Sequence, residues 1–325
     1  MQSSEKKETV LVTGGSGYLA SNCILALLKE GYYVRTTLRT MEKKDRLLAA
    51  LSAGGVTSFD RLKLLQAELG SDDNWTDAIR GCAYVLHVAS PFPAAEPEDE
   101  NEVIVPAREG TLRVLKIASE EGVKRVVLTS SFAAVGLSTD PKGHLFSEKD
   151  WTDVNTPLRA YIKSKVVAER AAWDFIDNHG RDLELTVINP VAIFGPVFGD
   201  NYSASIGHVL KGLIEGQITQ TPPFTLNVVD VRDVAEIHIT AMTHPAAKGE
   251  RFLAGTSQAM SFYDIAELIR SERPALAEKI AELKPISQDL YIHLSCEKAR
   301  IMLGWNPRAR EASLLSSLDT LFPSA

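Results

Sequence analysis

The chain has 325 residues, 45% hydrophobic and 24% charged, with a formal net charge of −7; this is ordinary globular composition for one large or two coupled domains. The acidic balance argues against nucleic acid or an anionic membrane as the main partner. No run of about 18 apolar residues occurs, the stretch before Thr13 lacks the apolar core of a signal peptide, and Cys23, Cys82 and Cys296 form no metal-ligand spacing. A cytoplasmic protein with reduced cysteines, no metal and no membrane span is expected.

In chain order, the first half alternates short β-branched runs with longer helical patterns. Strands are predicted at Thr9–Thr13, Tyr33–Leu38, Leu62–Gln66, Tyr84–Val88, Arg125–Thr129 and Leu185–Asn189. Helices are predicted at Tyr18–Glu30, Glu42–Leu51, Trp75–Arg80, Glu98–Glu121 and Leu158–Asn178. This alternation predicts an α/β fold with a doubly wound parallel sheet. After Asn189 the texture becomes richer in loops, with helices predicted at Ala204–Glu215, Val231–Met242, Phe262–Arg270, Cys296–Leu303 and Ala312–Leu321. Short strands are predicted at Leu226–Val229 and Arg251–Leu253. The expected organisation is a Rossmann dinucleotide domain over 1–190, rejoined by about 226–255, and a smaller substrate-binding lobe formed mainly by 191–325.

Thr13-Gly14-Gly15-Ser16-Gly17-Tyr18-Leu19-Ala20 follows the first strand and opens the first helix. Glycines permit the tight turn and the close approach of a pyrophosphate, which the free N–H groups of the helix start then receive. Gly14, Gly15, Gly17, Tyr18 and Leu19 are therefore candidate cofactor contacts. An NAD site would place an acid about 20 residues further on, to hold the ribose 2′-hydroxyl. Here the second strand ends in Arg39, which suits a 2′-phosphate, with Lys43, Lys44 or Arg46 assisting. NADPH is the expected cofactor.

Tyr161 and Lys165, four residues apart in a helical pattern, share a face. A free tyrosine, with a pKa of about 10, is a poor acid–base catalyst at neutral pH. A neighbouring ammonium and an oxidised nicotinamide favour the phenolate, so that the phenol can protonate a carbonyl oxygen as hydride arrives at carbon. Ser131 closes the fifth strand at the carboxyl edge, where ligands of such sheets bind, and can donate to the same oxygen. Thr129 and Ser130 share that edge.

With T-G-G-x-G-Y-x-A, T-S-S and Y-x-x-S-K in this order, the chain resembles the extended short-chain dehydrogenase/reductases. More narrowly, it resembles the branch of dihydroflavonol reductases, cinnamoyl-CoA reductases and fungal methylglyoxal and ketone reductases. The resemblance runs almost full length and includes Val88–Phe92, Ala168-Glu169, Asn189-Pro190 and Val229–Ala235. It implies Ser131, Tyr161 and Lys165 as the catalytic set, with Lys165 also on the nicotinamide ribose. It further implies Ala89, Ser90, Thr129, Pro190, Val191 and Ile193 along the cofactor cleft, and Arg39 at the 2′-phosphate. Glu68-Leu69 stands where the family often has Asp-Leu near the adenine. The cinnamoyl-CoA reductases carry N-W-Y-C-Y-G-K around the tyrosine; Arg159–Lys165 differs, which argues against a CoA thioester. Lys163 is expected off the catalytic face, in solvent.

Phe92 and Phe132 are expected to line the substrate pocket beside the cofactor, and Phe194, Val197, Phe198, Tyr202 and Phe224 its outer wall, an apolar lining suited to small carbonyl compounds. The expected function is NADPH-dependent reduction of a small aldehyde or ketone by a monomer or homodimer. The alternatives are a sugar-nucleotide epimerase or dehydratase with bound NAD, and a non-catalytic NADP(H)-binding regulator. The acidic run Glu96–Glu102 reads as a solvated loop leading into a helix, the four tryptophans as packing, and His87 as structural.

Overall fold

The computed structural model describes residues 7–92 and 95–323, so the start of the N-terminal stretch read above, residues 1–6, lies outside it. Seven parallel strands build the central sheet: β1 (Thr9–Val12), β2 (Tyr33–Leu38), β3 (Leu62–Gln66), β4 (Tyr84–His87), β5 (Arg125–Thr129), β6 (Glu184–Pro190) and β7 (Arg251–Ala254). Their order is β3-β2-β1-β4-β5-β6-β7, and β1 lies between β2 and β4. The sheet is wound outward in both directions from β1, so a crevice opens beyond the carboxyl ends of β1 and β4. In this doubly wound class that is where ligands bind.

The strand sequences explain why both faces are covered. Successive side chains point to opposite faces. Val10 and Val12 enter one core with α1 (Tyr18–Lys29), while Leu11 enters the other with α4 (Asn101–Glu120). Val127 and Ile188 join the first core, and Val126, Leu128 and Val187 the second. Both faces are apolar, so the strands read as continuous hydrophobic runs. Helix α2 (Lys44–Ala53) contributes Leu47 and Leu51 to the first core, and α3 (Trp75–Ile79) contributes Trp75 and Ile79 to the second. Helix α5 (Ala160–His179) packs along α4, and α6 (Val231–Thr243) packs along α1.

The later elements differ from expectation in instructive ways. The strand expected at Leu226–Val229 is Val228–Asp230, and it pairs with Ala192–Phe194 outside the main sheet. Strand β7 instead extends the main sheet beside β6. Asp230 ends the small strand because its carboxylate accepts from the Arg232 N–H and caps α6. The helix expected over Ala204–Glu215 opens as a π-helical stretch, Ile206–Lys211, before Gly212–Ile214. The remaining helices are α7 (Phe262–Glu272), α8 (Glu297–Leu303) and α9 (Arg310–Leu321). A full capping box, Ser261 with Asp264, starts α7. Ser317 and Thr320 of α9 bond the backbone of Gly195 and Val197, which ties α9 to the segment after the small strand Ala192–Phe194.

Candidate active site

The glycine loop sits at the amino end of α1. Gly14 adopts φ +71°, a conformation that costs an L-residue about 1–2 kcal/mol. A Cβ on Gly15 would lie 2.2 Å from Thr36 Oγ1, so the loop closes on β2 only because that side chain is absent. Thr37 secures it by accepting from Gly14 N at its hydroxyl (3.0 Å) and from Gly15 N at its carbonyl (2.9 Å). Gly17 caps α1 without a side-chain acceptor, and no acid occupies the first turn. The helix start is thus left to an anion, as a dinucleotide pyrophosphate requires. Tyr18 is buried and donates to Pro196 O, and Asn201 Nδ2 donates to Ser16 O at 2.7 Å, so the segment after β6 holds this loop from outside.

Arg39, at the end of β2, is exposed, and it has no carboxylate partner among the described residues; the same holds for Lys43 and Lys44. Arg46 differs, being engaged by Asp200 at 2.7 Å. Three uncompensated cations beside the ribose-binding strand fit a 2′-phosphate and do not fit a bare diol. The residues present therefore match NADPH.

The β1–β4 junction is locked by one hydroxyl. Thr13 Oγ1 accepts from Val88 N (3.0 Å) and Ala89 N (2.9 Å), and therefore donates to His87 Nδ1 at 2.9 Å. His87 must accept at Nδ1, and burial with the nearby Lys165 charge lowers its pKa to about 3. It is a neutral structural latch. Ala89 also packs where a Gly14 side chain would stand.

The catalytic candidates meet at the carboxyl end of β5. Ser131 Oγ accepts from Ala133 N (3.1 Å), which leaves its hydroxyl proton free to donate. Tyr161, in the first turn of α5, has its pKa raised by burial, against the lowering effect of its hydrogen bond with Ser131. Lys165, one turn on, lies 5.8 Å from the centre of the Tyr161 ring. Burial lowers its pKa to about 8, partly offset by Glu169. The structure brings a phenol, a hydroxyl and a buried amine together at one place.

Other expectations are redistributed. Thr129 turns its hydroxyl to His238 Nε2 (2.7 Å), where it pins β5 to α6. Glu68 offers its carbonyl to Trp75 Nε1, and Leu69 packs over Gly110 on α4. Val191 is buried against Gly255, and Ile193 lies in the small strand pair. Pro190 ends β6, directly after Asn189. Ser90 follows Ala89 at the cleft, partly buried.

Among the pocket candidates, Phe92 is 60% exposed and meets the Tyr161 ring edge-to-face at 4.9 Å. Phe224 is also exposed and packs on Phe262. Phe198 and Tyr202 are partly buried, with Tyr202 held by Lys211. The placement of Phe194 and Val197 in the pocket is corrected: Phe194 is wholly buried and Val197 nearly so, both in the main core. Phe132 packs edge-to-face on Phe146. A phenylalanine flanked by β-branched residues reads the same whether it faces a pocket or a core.

Two further corrections concern charge. Lys163 is not solvated alone but pairs with Glu100 at 2.7 Å. Within the acidic run, Glu96 accepts from Arg159 Nε (2.8 Å) and from Ala160 N (2.7 Å), at the start of α5. Their signal in sequence was only the opposite charge of two distant segments, which no local pattern connects.

The fold and this site define a nucleotide-dependent enzyme of the Rossmann class, and the chain belongs to the NAD dependent epimerase/dehydratase family, whose model matches residues 10–255. A putative NADPH-dependent methylglyoxal reductase, GRP2 of Candida albicans, is 33% identical, the match covering 91% of this chain and 93% of that protein. Cinnamoyl-CoA reductase CAD2 of Medicago truncatula is also 33% identical, over 99% of this chain and 98% of that one. The crystal structure of the yeast methylglyoxal/isovaleraldehyde reductase Gre2 complexed with NADPH superposes with a TM-score of 0.86 at 26% identity, covering 97% and 98% of the two chains.

Proposed function

We propose that this chain is an NADPH-dependent reductase that converts a small aldehyde or ketone to an alcohol. The observation that carries the reading is the pairing of an intact Ser131–Tyr161–Lys165 set with an uncompensated Arg39 at the end of β2. NADPH, held by these residues, would supply the hydride for the carbonyl carbon. Tyr161 gives its hydroxyl proton to the carbonyl oxygen, so hydride and proton together complete the CH–OH group. Ser131 donates a hydrogen bond to the same oxygen and polarises the carbonyl. Lys165 lowers the cost of the phenolate left behind and holds the ribose hydroxyls. Gly14, Gly15, Gly17 and the first amides of α1 receive the pyrophosphate.

In this reading residues 1–190 with 226–255 hold the dinucleotide, and 191–325 supply most of the substrate lobe. Phe92 beside Tyr161 favours a substrate with an apolar or aromatic substituent. Three free cysteines, two of them buried, and a net charge of −7 support a cytoplasmic protein without a nucleic-acid partner, acting as a monomer or homodimer. No described helix is long and apolar enough to cross a membrane.

The test is a panel of aldehydes and ketones, with methylglyoxal among them, followed by loss of NADPH or NADH absorbance. Turnover that is at least about tenfold faster with NADPH at low cofactor concentration is expected, since a charge-assisted contact to phosphate contributes about 1.5–3 kcal/mol. Absorbance that stays flat across the panel would remove the reading.

A further inference from the structure

We propose that Glu169 is a positioning residue for the reaction, a single buried carboxylate behind the trio that keeps Ser131 and Lys165 in register. The inference rests on the roles proposed above for the trio. Glu169 lies one helical turn beyond Lys165 and two beyond Tyr161 on α5, and is 1% exposed. Its Oε2 accepts from Ser130 Oγ at 2.6 Å and from Asn189 Nδ2 at 2.8 Å. The same Asn189 amide nitrogen also donates to the backbone oxygen of Ser131 at 3.2 Å. One carboxylate therefore ties the catalytic helix to the ends of β5 and β6, between which Ser131 is set.

The other oxygen faces β7. Arg251 Nε is 2.8 Å from Oε1, a charge contact off the line of its N–H, and Trp173 Nε1 donates to Oε1 at 3.4 Å. The Arg251 guanidinium lies 3.8 Å over the Trp151 ring and donates through Nη1 to the backbone oxygens of Glu148 and Asp150. A buried ion pair of this kind recovers in attraction little more than it loses in hydration, so stability alone gives no reason for it. Its position does. The groups that face Lys165 are Tyr161 and Glu169 from its own helix and His87 from β4, with Arg251 of β7 beyond the carboxylate. Glu169 is the single anion among them. Removing it withdraws negative charge from Lys165 and leaves the Arg251 charge unanswered, which favours the deprotonated amine.

The experiment compares Glu169→Gln, Glu169→Gln/Arg251→Gln, Ser130→Ala and Tyr161→Phe with the wild type. It measures kcat and KM against pH with NADPH and the best carbonyl of the panel, and NADPH binding by fluorescence. Glu169→Gln is expected to lower kcat about tenfold near neutral pH and to move the alkaline limb of the rate profile about one unit lower, with NADPH affinity within about threefold. The double variant, which removes both charges, is expected to return the limb to its wild-type position. Ser130→Ala keeps the charge and is expected to lower kcat about threefold to tenfold with no movement of the limb. An alkaline limb that stays in place in Glu169→Gln, or a uniform loss of rate at every pH, overturns the inference. A Tyr161→Phe variant that keeps full activity overturns the reading of the trio instead, so the two failures are distinguishable. Should Glu169→Gln not fold, the limb position in the double variant and the kcat of Ser130→Ala decide the matter: a wild-type kcat in Ser130→Ala refutes it.

Discussion

The back and the front of the site are built on opposite terms. Behind the reacting groups, polar side chains are held by several partners at once: Thr13 by His87, Val88 and Ala89, and Glu169 by Ser130, Asn189 and Arg251. In front, Arg39 has no carboxylate partner among the described residues, and Phe92 and Phe224 stand more than half exposed. The difference separates what the chemistry needs from what the ligands need. Proton transfer tolerates little misplacement, so the rear is held from several elements at once. The front must admit a cofactor phosphate and a carbonyl compound, and its groups are held by fewer contacts and left open to solvent.

That contrast can be broken from the rear first. Lys165→Met is expected to reduce kcat/KM about 10³-fold or more, since it removes the charge that stabilises the phenolate and a contact to the cofactor. Steady-state kinetics against both NADPH and carbonyl concentration would show it in both parameters. At the cofactor edge, Arg39→Ser is expected to raise the KM for NADPH about tenfold to hundredfold while that for NADH changes less than threefold, because only the 2′-phosphate loses a partner. Equal effects on the two cofactors would refute that assignment.

The pH dependence follows from the same groups. In the proposed mechanism Tyr161 must be protonated to act as acid, and burial raises its pKa. Lys165 must carry its charge, and burial lowers its pKa to about 8. Both are in the required state below that value, so kcat/KM for reduction should be level near neutrality and fall as pH rises through about 8. The smallest effect belongs to the front. Phe92→Ala forfeits one edge-to-face contact, about 0.5–1.5 kcal/mol, and should raise KM for an aromatic carbonyl about threefold to tenfold with kcat nearly unchanged.

Where chemistry coincides with local pattern, the sequence was readable. The glycine loop needs small residues at fixed offsets after a strand, Tyr161 and Lys165 need one helical turn, and Arg39 needs the end of a strand; each leaves a short signature. All seven strands of the main sheet were anticipated within a residue or two, because two buried faces demand unbroken apolar runs. What escaped depends on contacts across the chain. Glu96 and Ala160 are 64 residues apart and Arg251 is far from Glu169, so no periodicity joins them. Phe194 was misplaced because an aromatic in a loop-rich segment carries no mark of which way it faces. The pairing of Val228–Asp230 with Ala192–Phe194 was missed because strands of three residues are too short to show alternation. Glu169 had a signal, since 161, 165 and 169 share one helix face, but a charged residue there reads equally as solvated.

The central claim is that Tyr161 delivers the proton from a site whose cofactor grip is independent of it. Tyr161→Phe, assayed for carbonyl-dependent NADPH oxidation and titrated with NADPH, tests this directly. The account requires activity to fall at least about 10²-fold to 10³-fold while NADPH affinity stays within about threefold of wild type. A variant that turns over at the wild-type rate would contradict it.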